Sequence, residues 1–592
     1  MMNRWLSMFV VFPLMIIFAV AFAAPVKLSG TLVSGGNVSD FAVSDPAGRV
    51  VFIADRETNN VNELYSTAIG GGTITKLSGS MVTGGNVTSF RLSPNGQAVL
   101  FVADRVTNAA FELWYVPIDG SAAPVSLSGA IAATALIART DYAWSPDSAR
   151  VVMRLFKSSA TVAELFSIGT TIGSTLINIT GPLVSGGSVQ GDFAISDDSA
   201  RVVFRANKSV AAAIELYSGT ITGTTPSRIS GPTFATGRNV VSFKLSENSA
   251  QVVFLANKDT ATAFELYRVA ISGTTPVKIS GAIVSGGNVS DGYVISPDSA
   301  QVVFRADAAV DEQFELYSVA IPGSVTPIKI SGTLIGVGGD VTTGFLVSPD
   351  SSRVVFSAAP INDGITNLYS VAIAGVTPVK ISGAMIPGGV SPNALASRAS
   401  ISPDSTRVVF NVDRGDAQPE LGSVGIADTV PTSISGPQVV GGGPTGFSIS
   451  PNSAQVVFVS VRDDLGRAEL YSVAMTSAPL VKISGGLVVS IADNLLPVIT
   501  ADNARVVFVS SGPSELYSVT LTDGASLLDI DGDGKVTPTI DGLLLMRWQF
   551  GTRGAALIGG ISFPAGALRT TVNAIELHMR RLSETTRGSV GW

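Results

Sequence analysis

Short apolar runs alternate with glycine-rich polar segments along the chain, and the same alternation returns about every 50 residues. Each unit contains the landmark S-P-D-S-x-x-V-V-F or a variant of it, followed by an E-L-Y landmark and then a K-I-S-G landmark. Ten copies of three landmarks at one period indicate a repeat array. The last residue of the first landmark stands at Phe52, Phe101, Met153, Phe204, Phe254, Phe304, Phe356, Phe410, Phe458 and Phe508.

A single unit is predicted to contain four strands. In the fourth unit these are 192–196, 201–206, 215–221 and 227–230, with a tight turn at 197–199. Four antiparallel strands in about 50 residues, joined by glycine-rich connections, are typical of a propeller blade. A solenoid of stacked coils is the alternative, but its coils are usually shorter and lack hairpin turns. We therefore predict an all-β fold built from ten four-stranded blades.

The order of the landmarks predicts how the array closes. Residues 26–30 form a lone fourth strand, and the last unit stops after its third strand, near Leu521. Pairing these two segments completes the last blade and removes two exposed strand edges. One ten-bladed ring is one outcome. Two five-bladed rings are the other, because a second ring could also complete its last blade with a strand that precedes its first repeat.

The repeats resemble those of TolB-like propellers, in which a serine-proline-aspartate turn precedes an apolar strand and an E-L-Y strand. The resemblance covers residues 26–523 and is carried by the S-P-D turns at 145–147, 296–298, 348–350 and 402–404. Serine usually stands where that family has glycine after the aspartate. The resemblance implies a propeller that binds proteins or small ligands, and it does not imply catalysis.

The composition excludes several classes of catalytic and binding site. The 592 residues include no cysteine and one histidine, His578, which excludes disulfides and thiol nucleophiles and argues against Ser-His-Asp catalysis. Charged residues make up 14% and the net charge is −7, so the chain has no basic footprint for nucleic acid. A positive mean hydropathy then indicates a buried β core.

The N-terminus is predicted to be a secretory signal over residues 1–23. Arg4 precedes an apolar run from 6 to 22, and Ala21-Phe22-Ala23 supplies the small residues needed for cleavage after Ala23. An uncleaved membrane anchor is the alternative. No second apolar stretch is long enough to span, so we expect no membrane span after cleavage. The destination is then the periplasm, the cell surface or the exterior.

Residues that break the repeat are the candidates for function. Carboxylates stand at the start of the innermost strand in four units only, at Asp40, Asp141, Asp192 and Asp291. If the ring forms, they rim its central opening and bind a cation or a hydroxyl-rich ligand, with loop capping as the alternative role. Inside the innermost strands we expect Arg91 and Lys244 to be the only charges.

Residues that recur in every unit are predicted to be structural. The turn aspartates can accept a hydrogen bond from their own backbone two residues on. The E-L-Y glutamates are expected to satisfy loop donors near each blade. The segments between the second and third strands differ most between units and carry mixed charges. They form either a polar recognition face or an ordinary solvated surface.

A different pattern begins after the repeats, at 524–592. Asp529, Asp531, Asp533 and Thr537 occupy positions one, three, five and nine of a calcium-type loop, and Lys535 offers its carbonyl at seven. Oxygen ligands at this spacing are typical of Ca²⁺ sites. Position twelve is Ile540 instead of an acid, and Asp541 follows one residue late. The alternative is an acidic turn that caps the next helix, predicted at 541–550.

The loop and helix at 529–550 resemble a dockerin module, an EF-hand-like unit that joins secreted proteins to cohesin partners. The second half, 552–571, contains no acidic residue and therefore no second calcium loop. A second helix is predicted at 572–582. The resemblance thus implies a small α-helical, calcium-stabilised attachment module.

Together these observations predict an exported, non-enzymatic binding or scaffold protein. Its propeller (24–523) would recognise a protein partner or an extracellular glycan, and its C-terminal module would attach it. The alternative is a secreted glycoside hydrolase that uses the rim carboxylates as acid and base. A third possibility is that the C-terminal module is only a secretion or anchoring tag.

Overall fold

The structure is a computed structural model, and it describes most of the chain. The described residues are 24–129, 142–159, 161–171, 173–321, 323, 326–333, 339–359, 366–383, 399–412, 419–436, 443–461, 467–476, 480–489, 495–521, 530–531, 537, 539–564, 567, 570–576 and 579. They divide into two compact units, of which the larger is Pro25–Gly524.

In the residues that the structure describes, the larger unit has forty strands arranged in ten four-stranded antiparallel sheets, the blades. The first strand, β1 (Val26–Lys27), precedes blade 1 and belongs to blade 10. Blade 1 consists of β2 (Val38–Ser44), β3 (Arg49–Ala54), β4 (Glu63–Ala68) and β5 (Thr75–Lys76). Blade 2 consists of β6 (Val87–Leu92), β7 (Ala98–Ala103), β8 (Glu112–Pro117) and β9 (Val125–Ser126). Blade 3 consists of β10 (Tyr142–Trp144), β11 (Arg150–Ser159), β12 (Val162–Gly169) and β13 (Ile177–Asn178). Blade 4 consists of β14 (Val189–Ile195), β15 (Arg201–Ala206), β16 (Glu215–Thr220) and β17 (Ser227–Arg228). Blade 5 consists of β18 (Val240–Leu245), β19 (Gln251–Ala256), β20 (Glu265–Ala270) and β21 (Val277–Lys278). Blade 6 consists of β22 (Val294–Ile295), β23 (Gln301–Ala306), β24 (Glu315–Ala320) and β25 (Ile328–Lys329).

The remaining blades follow the same plan. Blades 7 and 8 consist of β26 (Asp340–Val347), β27 (Arg353–Ala359), β28 (Asn367–Ala372) and β29 (Val379–Lys380); and β30 (Ala399–Ile401), β31 (Arg407–Val412), β32 (Glu420–Gly425) and β33 (Thr432–Ser433). Blade 9 consists of β34 (Gly443–Ile449), β35 (Gln455–Val461), β36 (Glu469–Ala474) and β37 (Val481–Lys482), and blade 10 of β38 (Val498–Ile499), β39 (Arg505–Val509) and β40 (Leu516–Thr520) together with β1.

The chain closes one ring, as the order of the landmarks predicts. Strand β1 pairs antiparallel with β40, with Lys27 opposite Tyr517. Buried apolar clusters join each blade to the next, including blade 5 to blade 6 through Leu255 and Tyr293 and blade 10 to blade 1 through Val507 and Phe41. Two five-bladed rings would instead pack blade 5 on blade 1. The two-ring alternative is therefore wrong, and the fold is a ten-bladed propeller.

The central strands are buried on both faces because every blade packs between two others. In β3, five of the six residues are buried, and β-branched and aromatic side chains suit such a strand. The predicted second strand of unit four matches β15, whereas its innermost strand begins at Val189 rather than 192. The strand is longer than predicted because β14 pairs with β15 on both sides of a bulge between Val189 and Phe193. As a result Asp40 and Asp192 lie inside innermost strands, and the prediction that these strands contain no carboxylate is wrong.

In seven of the ten units a serine follows the turn aspartate or asparagine, and it links neighbouring blades. Ser148 and Ser199 have φ of 61° and 58°, a backbone conformation that favours glycine. Their hydroxyls accept hydrogen bonds from the turn of the preceding blade, at 3.1 Å from Asn95 N and 3.0 Å from Asp147 N. Equivalent bonds run on around the ring, and Ala501 N returns to Asp45 of blade 1 at 3.0 Å. Serine therefore gains an interblade hydrogen bond that glycine could not make.

The predicted role of the turn aspartates is confirmed, and that of the E-L-Y glutamates is confirmed at Glu215, which accepts a hydrogen bond from the loop amide Phe234 N at 2.9 Å. Asp147 Oδ1 accepts a hydrogen bond from Ala149 N at 3.0 Å, two residues on. In blade 5, Glu265 accepts from Tyr267 Oη at 2.9 Å and from Lys278 Nζ at 2.9 Å, both in its own blade. Glu265 is 6% exposed, and burial of its charge requires such partners. These glutamates thus secure the outermost strand of their blade, and Glu215 binds a loop donor as well.

The described residues of the C-terminal unit include helix α1 (Asp541–Gln549), helix α2 (Ala555–Ile558) and a helical segment at 572–576. Helix α1 agrees with the predicted 541–550. The apolar core of this unit consists of Ile530, Leu544, Leu557, Ile575 and Met579. Among the described helices of the chain, none has the length and apolar character needed to cross a membrane.

Candidate ligand site in blades 4 to 6

The structure places three of the four predicted rim carboxylates, and Asp141 lies outside the described residues. Asp40 is half-buried in β2 of blade 1. Asp192 lies in β14 of blade 4, and exposed Asp291 lies just before β22 of blade 6. The neighbours of Asp192 and Asp291 bring these two residues into one polar cluster, whereas Asp40 stands in a different part of the ring.

Asp192 is held by an arginine on the adjacent strand of its own blade. Arg205 Nε lies 2.8 Å from each carboxylate oxygen of Asp192, and Arg205 Nη1 donates to Val240 O of blade 5 at 2.8 Å. Arg205 also donates to Val241 O. The planar guanidinium can make these contacts together because it carries five N–H donors in a rigid fork. It therefore fixes a partly exposed carboxylate against the edge of the next blade.

Asp291 is held by residues of blades 5 and 6. Ser242 Oγ donates to Asp291 Oδ1 at 2.8 Å, and Gly292 N donates to the same oxygen at 3.0 Å. Lys244, two residues after Ser242, places its Nζ 5.5 Å from the ring centre of Tyr293. The surrounding wall removes part of the solvent from Lys244 and so lowers its pKa, and the charge of Asp291 opposes this effect.

Tyr293 connects the two carboxylates electrostatically. Its side chain is fully buried, and its hydroxyl donates to Val253 O at 3.1 Å. Burial raises the pKa of Tyr293 above its usual value; the charges of Asp291 and Asp192 add to this increase, while Arg205 opposes it. Three charges from blades 4 and 6 thus act on one buried hydroxyl. We call Asp192, Arg205, Ser242, Lys244, Asp291 and Tyr293 the polar cluster.

A second arginine extends this polar region into blade 7. Arg305 of β23 donates from Nε to Val341 O at 2.6 Å and from Nη1 to Ser290 Oγ at 2.9 Å. Its Cζ lies 3.6 Å from the ring centre of Phe314, and burial lowers the pKa of the guanidinium. Like Arg205, it reaches the innermost strand of the following blade, so it is a positioning residue for that strand.

Sequence reasoning missed Arg205 and Arg305 because they directly follow the V-V-F landmark, at a position that was not compared between units. The residue after the V-V-F landmark is apolar in five units, and it is Arg154, Arg205 and Arg305 in three others. In a half-buried strand such a change places a charge between two blades. This variation is the signal in the sequence that could have identified the two arginines.

The chemistry of the polar cluster suits a ligand rich in hydroxyl groups. Asp192 and Asp291 supply acceptor oxygens, Arg205 and Lys244 supply donors, and the Ser242 hydroxyl does both. The Asp192 side chain is 40% exposed and that of Arg205 18%, so a ligand can reach this pair. Asp291 is also exposed. A sugar hydroxyl donates and accepts in the same way as the serine hydroxyl.

The calcium-type loop is described only in part. Asp529, Asp533 and Lys535 lie outside the described residues. Asp531 and Asp541 are each 1% exposed. Asp541 Oδ1 accepts from Ile530 N at 2.6 Å and from Asp531 N at 3.2 Å, while Oδ2 accepts from Thr537 N at 2.7 Å and from Thr537 Oγ1 at 3.1 Å. Asp541 thus holds the start and end of the loop together.

Two buried carboxylates and a threonine around one loop are hard oxygen donors, and their chemistry fits Ca²⁺. Asp541 accepts hydrogen bonds from loop residues, and no side chain caps the start of helix α1 at Ile540. Among the residues that the structure describes, no three acidic, histidine or cysteine side chains stand close enough to hold a metal. The remaining predicted ligands belong to the undescribed part of the loop.

Comparison with known proteins gives distant structural matches only. A prolyl endopeptidase structure is similar with 13% sequence identity and a TM-score of 0.34, over 66% of this chain and 55% of the endopeptidase. The match therefore spans little more than half of the endopeptidase. An oligogalacturonate lyase from Vibrio parahaemolyticus is similar with 13% identity and a TM-score of 0.33, over 66% of this chain and 98% of the lyase. No family model matches the chain, and no curated protein matches it.

Proposed function

We propose that the protein is an exported, non-enzymatic binding protein whose propeller recognises a hydroxyl-rich ligand, such as an extracellular glycan. The observation that carries this proposal is the juxtaposition of the Asp192–Arg205 pair with the Ser242–Asp291 hydrogen bond across blades 4 to 6. These groups depart from the repeat, so the scaffold common to the ten blades does not require them.

The positions of the carboxylates favour binding over hydrolysis. A glycoside hydrolase needs one carboxyl group to give a proton and another to attack or to activate water. Both oxygens of Asp192 face Arg205 Nε at 2.8 Å, and Asp291 Oδ1 accepts two hydrogen bonds. Carboxylates engaged in this way are suited to orienting hydroxyl groups. The hydrolase alternative becomes an outcome of the test below.

The C-terminal unit is proposed to attach the protein through a Ca²⁺-stabilised, dockerin-like loop. Asp531, Thr537 and Asp541 would contribute oxygen ligands, together with Asp529, Asp533 and the carbonyl of Lys535. Bound Ca²⁺ would neutralise the carboxylates that are buried beside Ile530 and Leu544. The repeats are likewise proposed to be TolB-like, on the residues of their serine-proline-aspartate turns.

A glycan-binding experiment tests the propeller site. Mature protein (24–592) is titrated calorimetrically with a panel of neutral and acidic oligosaccharides, and Asp192→Asn and Asp291→Asn are compared with Asp40→Asn. Each cluster variant is expected to weaken binding about tenfold, since one charge-assisted hydrogen bond contributes about 1.5–3 kcal/mol. The Asp40 variant should leave binding unchanged. Reducing ends that accumulate in the mixture would replace the binding proposal with hydrolysis.

A separate experiment tests attachment. Immobilised mature protein is exposed to a secreted extract of the native cell with calcium or with chelator, and the variant Asp531→Ala is compared with the unchanged chain. Direct titration with CaCl₂ accompanies the capture. Calcium binding that is lost in Asp531→Ala supports the module. Full calcium binding by that variant would place the ion elsewhere and overturn this part of the proposal.

A further inference from the structure

The two cations of the polar cluster differ in how they are paired. Arg205 Nε lies 2.8 Å from each carboxylate oxygen of Asp192. Lys244 instead places its ammonium 5.5 Å from the ring centre of Tyr293, and no described carboxylate lies within ion-pair distance of it. The Lys244 side chain is exposed, so a group from outside the chain can reach the ammonium.

Lys244 is also a departure from the repeat. Its partner on the neighbouring strand is Val253, the second valine of the V-V-F landmark. At the same position the nine other blades have alanine, valine, leucine or serine in eight cases and Arg91 in blade 2. Assembly of a blade therefore does not require a charge at this position.

Lys244 and the hydroxyl-binding groups of the cluster face the same neighbouring blade. Side chains alternate along a strand, so Ser242 and Lys244 leave β18 on the same side, about 7 Å apart. Ser242 Oγ donates to Asp291 Oδ1 at 2.8 Å, and Lys244 lies over Tyr293, two residues after Asp291. One sugar ring with its substituents spans a comparable distance. A single sugar residue can therefore reach both the ammonium and the carboxylate.

The nearby charge of Asp291 does not fully compensate Lys244. Partial removal of solvent lowers the pKa of Lys244, and the charge of Asp291 opposes this effect without reversing it. Asp291 Oδ1 is itself engaged by Ser242 Oγ and by Gly292 N. An anionic group in contact with the ammonium would replace the solvation that Lys244 has lost.

We propose that Lys244 makes the polar cluster selective for acidic glycans: a uronate carboxylate binds the Lys244 ammonium, and hydroxyl groups of the same glycan bind the rest of the cluster. This selectivity rests on the proposed glycan-binding function and narrows it to one class of glycan. The ammonium carries three donors that suit carboxylate oxygens. A neutral sugar has a hydroxymethyl group at that position and loses the charge assistance. Lys244 is thus a specificity-determining residue.

Calorimetry of the mature full chain with matched trisaccharides tests the selectivity. The probes are cellotriose, mannotriose, and the counterpart of each in which every hydroxymethyl group is oxidised to a carboxylate. The acidic member of a pair is expected to bind about tenfold more tightly, and its advantage should shrink as salt is added. Lys244→Met should abolish that advantage and leave affinity for the neutral member within about twofold. Lys244→Arg, which keeps the charge, should retain most of it.

Lys258→Met is the matched control. Lys258 also belongs to blade 5 and lies 5.3 Å from the ring centre of a tyrosine, Tyr267, but it is paired with Asp259 at 2.9 Å. Its removal should leave the preference for the acidic members unchanged.

Three results would overturn the selectivity while glycan binding itself stands. They are equal affinity for the two members of each pair, tighter binding of the neutral members, and an equal loss of preference in Lys258→Met. Absence of binding by all four trisaccharides would overturn it as well. Binding of other oligosaccharides in the panel described above would then show whether the proposed function survives.

Discussion

Lys27 and Glu515 form an ion pair across the seam where the two ends of the propeller meet. Lys27 belongs to β1 and Glu515 immediately precedes β40, so the pair joins residues from opposite ends of the repeat array. Tyr517 Oη donates to the second oxygen of Glu515 at 2.7 Å. Burial alone would raise the pKa of Glu515, but Lys27 and Tyr517 outweigh it and hold that pKa below its usual value.

Removing the seam lysine is predicted to loosen ring closure. Lys27→Met should destabilise pairing of β1 with β40 by about 1 kcal/mol, the usual range for a partly exposed, charge-assisted pair. The measurement is hydrogen exchange at Leu28 N, which donates to Leu516 O at 2.7 Å. Exchange there should accelerate about fivefold, because a two-residue strand has little else to hold it.

Lys278→Met is the control for that measurement. Lys278 makes the same contact with Glu265 at 2.9 Å, but both residues belong to blade 5. Its removal should leave exchange at Leu28 unchanged. If both variants accelerate exchange equally, the lysine contributes to overall stability and not to closure.

Acidic pH is predicted to weaken the same seam. Because the folded pKa of Glu515 lies below its unfolded value of about 4.3, its stabilising contribution is complete above that value and is lost as pH falls through the folded pKa. Opening of β1, measured by hydrogen exchange at Leu28 N and corrected for the intrinsic pH dependence of exchange, should therefore increase below about pH 4. Glu515→Gln should open more readily at neutral pH and show a smaller change on acidification. An equal pH response in that variant would contradict the assignment to Glu515.

The repeat landmarks were sufficient to predict the architecture because each one reports a local physical requirement. Serine, proline and aspartate specify a tight turn, and Val-Val-Phe specifies a strand buried on both faces. The sequence position of β1 also predicted its pairing with β40. The number of rings was not predictable, since it depends on which blades pack together, as Leu255 and Tyr293 do between blades 5 and 6.

The candidate site was predictable only in part. Asp192 and Asp291 were identified because their positions break the repeat, but their partners were not. The contact of Arg205 with Val240 joins two blades through backbone carbonyls, and no side-chain pattern in the sequence marks such an acceptor.

The turn serines predict an unusual order of variant stabilities. Ser199→Ala removes the acceptor of Asp147 N and keeps a side chain at φ of 58°, so it should cost about 0.5–1.5 kcal/mol. Ser199→Gly loses the same hydrogen bond but relieves a backbone cost of about 1 kcal/mol. It should therefore be close to neutral. Urea unfolding of both variants checks the order, and a glycine variant less stable than the alanine variant would contradict it.

Arginine at 205 is predicted to be irreplaceable by lysine. A lysine ammonium is a single point charge, and it cannot approach both oxygens of Asp192 while also donating to Val240 O of blade 5. Arg205→Lys should therefore weaken glycan binding about tenfold and lower the free energy of unfolding by about 1–2 kcal/mol. Calorimetry and urea unfolding measure the two effects.

Arg201→Lys is the matched control on the same strand. In the described residues, Arg201 Nε donates to Ser218 Oγ at 3.0 Å, within blade 4. That variant should lose some stability and keep full glycan affinity. A loss of affinity in Arg201→Lys equal to that in Arg205→Lys would mean that distortion of blade 4, and not the Asp192 contact, controls binding.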